Sequence, residues 1–317
     1  MIRADPTSAV SPSPPRVPAW AIPSGPVEHD SDAAFCAGAA LNSLDFLVRS
    51  EPAVAGAWRQ RLALKCAAAA VRLAGRSEDE VALRDAWYLR PADGDPGPAG
   101  NLLAAWRQLA SRPPAIDTRR LADVVDLLGL RWDDGFADLP GAIDAVVRSG
   151  RPAPFAAAAI ASQIVAVSPA AELLAWWCAD FLLAQKLRWP KPVPLLMAQV
   201  FSPAFRTAGP SVKRVRPGGE EIERAVCLAL AQGSDDALRL AADLSRRAER
   251  LVTVAPKLRA KGAGDVIEKL LDDDAVPSSL TTKALSRFGA RRLFERLQTF
   301  EAVRELSGRD SFRLFGL

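Results

Sequence analysis

From Asp32 onward, apolar residues recur every three or four positions: Ala33, Ala34, Ala37, Ala40, Leu41, Leu44 and Leu47. That spacing predicts an amphipathic helix. Asp32 is placed as its N-cap, because a short side-chain oxygen accepts from the unpaired amides of a first turn. The same period predicts a second helix from Val54 to Leu73, with Trp58, Leu62, Ala69 and Leu73 near one face. A third runs from Glu78 to Tyr88 behind Ser77 as cap. Further helices are expected over 99–111, 118–130, 139–149, 169–187 and 219–232. Asp235–Arg250 continues the pattern through Leu238, Ala241, Ala242, Leu244 and Ala248. Alternating β-branched runs are almost absent before residue 300, so the body reads as all-α.

The last 55 residues carry a different order of signals. Residues 265–271 read as a helix, and Pro277-Ser278-Ser279 precedes a short helical turn over 279–285. Ser286-Arg287-Phe288-Gly289 is a tight connection into a longer helix, 289–302. There Ala290, Leu293, Phe294, Leu297 and Phe300 form one buried stripe, with Val303 next in step. Val303–Leu306 and Ser311–Phe315 follow as two short strands, with Gly308 in the turn Ser307-Gly308-Arg309-Asp310. Helix, short helix, longer helix and β-hairpin is the order of a winged helix-turn-helix, in which the long helix enters the major groove.

Residues 1–30 hold seven prolines and read as a flexible leader without the charged start and apolar core of a signal peptide. The expected organisation is a leader over 1–30, a helical domain over 31–200, a linker over 201–219, a helical hairpin over 220–262 and a winged helix over 263–317. Pro190, Pro192, Pro194, Pro203, Pro210 and Pro217 punctuate the junction around the linker. Its basic run Lys213-Arg214-Arg216 reads as a linker or as a phosphate-contacting arm. The uncharged stretch from Pro152 to Ala171 is Ala-rich and broken by Ser162, Gln163, Ser168 and Pro169. It is read as buried helix, with no membrane span.

Composition narrows the chemistry. The only histidine, His29, lies in the leader, which leaves no structured imidazole for a catalytic triad or a histidine metal site. Cys36, Cys66, Cys178 and Cys227 are widely spaced and fit reduced thiols of a cytoplasmic protein. The formal charge of +4 is uneven. Residues 1–210 and 211–274 are each neutral, so the whole excess falls on 275–317, with eight basic residues against four acidic. The acidic loop 93–100 offers Asp93 and Asp95 but lacks the later ligands of a calcium hand, and its glycines do not follow a strand. It is read as a helix-connecting turn, and neither a metal nor a cofactor is expected. The runs Asp272-Asp273-Asp274 and Asp133-Asp134 are read as solvated faces or helix ends. The tryptophans are assigned to core packing.

The strings DAAFCAGAALNSLD (32–45), WRQRLALK (58–65), RDAWYLRPADGDPGPAG (84–100) and GARRLFERLQTFEAVRELSGRDSFRLFGL (289–317) resemble an uncharacterised bacterial family of about this length. The resemblance covers most of the chain after residue 30. The last 30 residues also resemble the helix-turn-helix tail of other bacterial proteins of unknown function, which implies a DNA-binding tail. The expectation is a non-enzymatic, DNA-associated protein with a regulatory or mobile-element maintenance role. Its helical body would bind a protein partner or a second copy of the chain. Lys283, Arg287, Arg291, Arg292 and Arg296 would contact duplex DNA from the long helix and its approach, and Arg309 and Arg313 from the wing. The alternative is a kleisin-type bridging subunit of a chromosome-condensing complex, whose winged helix grips an ATPase partner. A metal-dependent enzyme built on the 84–95 loop is the least favoured reading.

Overall fold

The computed structural model describes residues 14–91, 94–207, 212–258, 260, 262–309 and 311–317. Twelve α-helices are formed among them. They are α1 (Asp30–Ser50), α2 (Ala55–Leu73), α3 (Glu80–Tyr88), α4 (Gly97–Ser111), α5 (Thr118–Leu127), α6 (Leu139–Arg148), α7 (Ala153–Val167), α8 (Glu172–Leu187), α9 (Leu196–Gln199), α10 (Ile222–Val254), α11 (Ala263–Asp272) and α12 (Arg287–Thr299). Three short strands, β1 (Val276–Pro277), β2 (Arg304–Glu305) and β3 (Leu314–Gly316), form an antiparallel sheet in the order β1-β3-β2.

The predicted periodicities place most of the body, with differences at the ends. α1 begins three residues early, so Asp32 lies in its first turn and His29 takes the N-cap position. α3 is capped by Asp79, which accepts from the Ala82 amide at 2.9 Å, and not by Ser77. Asp117 caps α5 in the same way at 2.7 Å. The hairpin expected over 220–262 is absent: one continuous helix, α10, spans that stretch to Val254. Gly233 and Ser234 look like a break locally, yet both are buried. A Cβ at Gly233 would lie 3.6 Å from Leu195 and Gln199, so the small residues seat α10 against α9 and its approach. Tertiary packing there outweighs the roughly 1 kcal/mol a helical glycine costs.

α1 lies along α10, α7 along α8, and α2 packs on α4 and α9. Trp58, Trp106, Trp176, Trp177 and Trp189 are fully buried among them, as the sequence predicts. The indole N–H of Trp58 donates to the Ala237 carbonyl (2.8 Å), that of Trp177 to Ala105 (3.0 Å) and that of Trp189 to Asp45 (2.8 Å). These bonds offset the cost of burying a polar tip. All four cysteines are buried and unpaired. Within the stretch Pro152–Ala171 lies α7, ended at Ser168 by the turn into α8, and no helix among the described residues is long and apolar enough to cross a membrane. Part of the expected leader is seated on the body, with Val17 and Ala21 buried. In the junction, Phe205 and Val215 are buried and Arg214 pairs with Glu172 (2.9 Å), so Arg214 serves the fold.

The run Asp272-Asp273-Asp274, expected as a solvated face or a helix end, is the end of α11, and its last two residues, half-buried and buried in turn, fasten the C-terminal residues to the body. Asp272 is exposed as predicted, but α11 ends there and the chain turns extended at Asp273. Asp274, only 2% exposed, accepts from the Arg61 Nε and from the Arg84 Nε (2.6 Å), and Arg61 also reaches the Asp274 carbonyl at 3.1 Å. Asp273 receives both ends of the Arg107 guanidinium (2.9 and 3.1 Å) together with the Tyr88 hydroxyl. Arg61, Arg84 and Arg107 come from α2, α3 and α4, so one two-residue segment ties three body helices to the C-terminal sheet. The approach is close: a Cβ on Gly316 would fall 2.6 Å from the Asp274 carbonyl oxygen, and one on Gly56 would fall 2.6 Å from the Asp272 Cα.

Two carboxylates give the fold opposite responses to pH. Burial favours the neutral acid at Asp274, but the Arg61 and Arg84 guanidiniums prevail and hold its carboxyl below the ordinary carboxylate range. Its stabilisation is present above pH ~4 and is lost as pH falls through the depressed folded value. Asp180 is fully buried, and burial pushes it up to about 7 although the Leu195 and Leu196 amides donate to it. The folded state then keeps a proton that the unfolded chain releases near pH ~4, so stability declines as pH rises from about 4 towards 7. Urea unfolding at pH 5 and pH 8 is expected to show a lower midpoint at pH 8, a difference that Asp180→Asn largely removes. An unchanged difference in that variant would refute the assignment. Asp274→Ala strands two buried guanidiniums and is expected to cost about 3–5 kcal/mol in the same assay. A wild-type midpoint would show that the clamp contributes nothing.

Candidate nucleic-acid interface

α12 forms along the expected stripe but runs from Arg287 to Thr299, so 287–289 is its first turn and not a connection, and Phe300 lies half-buried at its C-cap. The Ser286 hydroxyl accepts from the Gly289 amide at 3.2 Å, which caps the helix, and Ala290, Leu293, Phe294 and Leu297 are buried. Phe294 stacks on Phe315 of β3 with ring centroids 4.8 Å apart and planes 11° from parallel, so the sheet fixes the roll of the helix. The opposite face is thereby turned to solvent. Arg287, Arg291, Arg292 and Arg296 are exposed on it, with Phe288 at 80% exposure beside them and Lys283 exposed in the preceding turn. One carboxylate intervenes: Glu295 pairs with Arg291 at 3.1 Å, the i,i+4 partner expected from the sequence.

The approach to α12 differs from expectation. No helical turn forms over 279–285. The Thr282 and Leu285 backbones instead bond each other (3.0 and 3.3 Å) as an isolated bridge, and the Ser278 amide donates to the Arg313 carbonyl at 2.8 Å. Upstream, Val276 and Pro277 pair with Phe315 and Leu314 as β1, so the segment leaves the sheet in an extended course and enters α12 through the Thr282–Leu285 bridge. The hairpin strands are shorter than predicted, with Arg304 opposite Gly316 and Glu305 opposite Phe315. Asp310 of the hairpin turn lies outside the described residues.

The two hairpin arginines are engaged within the chain. Arg313 Nε donates to Glu305 at 2.7 Å, another of its nitrogens reaches the Gln298 side-chain oxygen at 3.3 Å, and its guanidinium lies over the Phe315 ring. Arg309 pairs with Asp85 of α3 while remaining 53% exposed at its side chain. An open groove of about 530 Å³ beside them is lined by Glu305, Gly308, Arg309 and Arg313. Two further cations stand here that the sequence does not mark as part of the interface. Arg304 of β2 is exposed, and partial burial together with the Arg247, Arg61 and Arg84 charges pushes its guanidinium below its ordinary value. Arg304 stays charged all the same. Arg247 belongs to α10, far away in sequence, and no local pattern marks it. Arg304 was visible in the basic count of the tail but sat on a strand, not on the long helix.

The acidic loop has a structural task. Asp95 accepts from the Gly97 amide at 2.8 Å and starts α4, and Asp93 lies outside the described residues. Asp133 accepts from Gly135 at 2.9 Å. Among the described residues no group of three or more His, Cys, Asp or Glu side chains is placed to hold a metal ion. An open cleft of about 720 Å³ lies between residues 22–27, the 202–207 loop and the start of α10. Its Arg224 is tied to Glu221 (2.7 Å) and to the Glu28 carbonyl (3.0 Å).

These features define a mostly helical protein that ends in a small antiparallel sheet with one cationic helix laid across it. The chain belongs to the family described as "Protein of unknown function (DUF1403)", which it matches over residues 6–317. Comparison with the curated proteins gave no match.

Proposed function

We propose that residues 263–317 act as a winged helix-turn-helix, with the turn 278–285 in place of a middle helix, and that α12 contacts duplex DNA. The protein is then a DNA-associated factor with a regulatory or mobile-element maintenance role, and its helical body is a rigid mount. The observation that carries this reading is the outward face of α12. Arg287, Arg291, Arg292 and Arg296, with Lys283 before them, are exposed together on a helix whose other side is fixed by the sheet. Guanidinium groups in that array suit phosphates and guanine edges. Arg304 adds charge from β2. The strand order β1-β3-β2 and the sequence helix, strand, helix, hairpin agree with the proposed module.

Phe288 favours a second reading. An aromatic ring 80% exposed at the start of the same face suits a protein groove, as a bridging subunit gripping an ATPase partner would use it. Fluorescence anisotropy of a labelled duplex with the full-length chain, at two salt concentrations, separates the two. DNA binding is expected to weaken with salt as counterions are released. The Arg291→Glu/Arg292→Glu/Arg296→Glu variant, folded by circular dichroism, is expected to lose binding, and any residual log–log salt slope to be shallower by about 3. No binding by folded wild type at low salt would overturn the DNA reading and leave the protein-partner one.

The ion pair between Arg309 and Asp85 sets a further expectation. Asp85 competes with phosphate for the wing arginine, so Asp85→Asn is expected to tighten duplex binding by up to about fivefold, the range of a partly exposed pair. The gain should vanish when Arg309→Ala is added. Unchanged affinity in Asp85→Asn would remove Arg309 from the interface.

A further inference from the structure

The outward face of α1 is more apolar than a solvated helix face needs to be. Phe35 and Phe46 are 68% and 60% exposed, and Trp20, itself 60% exposed, stacks on Phe35 at 5.3 Å. Between the two phenylalanines the same face shows Gly38, Ala39, Asn42 and Ser43, all exposed or half-buried. Gly38 is not required by the fold, since a Cβ there would meet no atom within 4 Å, although glycine in a helix costs about 1 kcal/mol relative to alanine. Beside Phe46 an open groove of about 400 Å³ is lined by Asn42, Asp45, Phe46, Arg49 and Ser50.

We propose that this face is a self-complementary interface, and that two copies of the chain pair through antiparallel α1 helices about a two-fold axis. The residues along the stripe specify the register. When Phe35 of one copy lies opposite Phe46 of the other, Gly38 falls opposite Ser43, Ala39 opposite Asn42, and Asp32 opposite Arg49. Each aromatic thus meets the groove beside the other, small residues occupy the crossing point, and the exposed acid at one end meets the exposed base at the other. Arg49 already pairs with Asp45 at 2.7 Å and donates to the Leu187 carbonyl at 3.0 Å, and its remaining guanidinium N–H groups are free to reach a second carboxylate. A parallel arrangement would instead set Asp32 against Asp32 and Arg49 against Arg49, and would align the two helix dipoles unfavourably.

The two aromatic contact points would lie about 16 Å apart at 1.5 Å per helical residue. Six partly exposed aromatic rings offer about 700 Å² across the two copies, at 150–250 Å² for each ring when fully buried. With the flanking residues, that matches the lower range of specific interfaces, at or below ~1,200 Å². An interface of that size suits a weak, concentration-dependent dimer. Neither the pairing nor its test depends on what α12 binds.

Sedimentation velocity of the full chain from about 1 to 100 µM covers the range of such a dimer. Wild type is expected to shift from monomer to dimer. Phe35→Glu/Phe46→Glu should remain monomeric with unchanged helicity, because both side chains stand at the surface. Asp32→Arg should weaken the dimer at least tenfold, and Asp32→Arg/Arg49→Asp should restore it, since the reversed charges again face each other. A wild-type monomer at 100 µM, or a dimer that survives the double glutamate variant, would overturn the interface. Failure of the charge swap to restore association would overturn the antiparallel register.

Discussion

Taking a carboxylate and two guanidiniums out of water is costly, and the cost is offset at Asp274 because each of its oxygens has an arginine of its own. Arg61 and Arg84 project from different helices, so the carboxylate can be satisfied only when α2, α3 and the end of α11 are all in place. Asp273 repeats the arrangement one residue earlier with Arg107 and Tyr88. Hydrophobic contact alone would let the C-terminal sheet slide over the body. These charge-assisted bonds specify one position, and Gly56 and Gly316 permit it by removing the side chains that would collide there.

The orientation of α12 follows from that position. The clamp holds β1 and β3 against the body, the Phe294–Phe315 stack sets α12 on the sheet, and the arginine face points outward. Arg309 is bound to Asp85 and Arg313 to Glu305, whereas on α12 one carboxylate, Glu295, pairs with Arg291 among four exposed arginines, so the helix is the less neutralised of the two cationic surfaces. An open array of like charges carries mutual repulsion in the folded protein. A polyanion relieves it, which is the physical case for duplex DNA as the partner.

Periodicity made the helical body, the buried tryptophans and the α12 stripe legible, because each depends on residues three or four apart. It did not reveal the clamp. Asp273 and Asp274 lie beyond the helix end, where their partners are more than 160 residues away. The available hint was Arg61, a charge set within the almost wholly buried run 57–67 of α2. β1 was missed for the same reason, since a two-residue strand has no period and its pairing with β3 is entirely non-local. Local propensity also divided α10 at Gly233, where packing against α9 decides otherwise. At the candidate interface, Lys283, Arg287, Arg291, Arg292 and Arg296 are all exposed as read, while Arg309 and Arg313 have intramolecular partners that no spacing rule discloses.

Hydrogen–deuterium exchange of the full-length chain, with and without a saturating duplex, tests the central claim most directly. The account predicts protection concentrated in 283–299, with β2 next and the outward face of α1 unchanged. Duplex binding that protects another surface and leaves α12 exchanging at its free rate would contradict it.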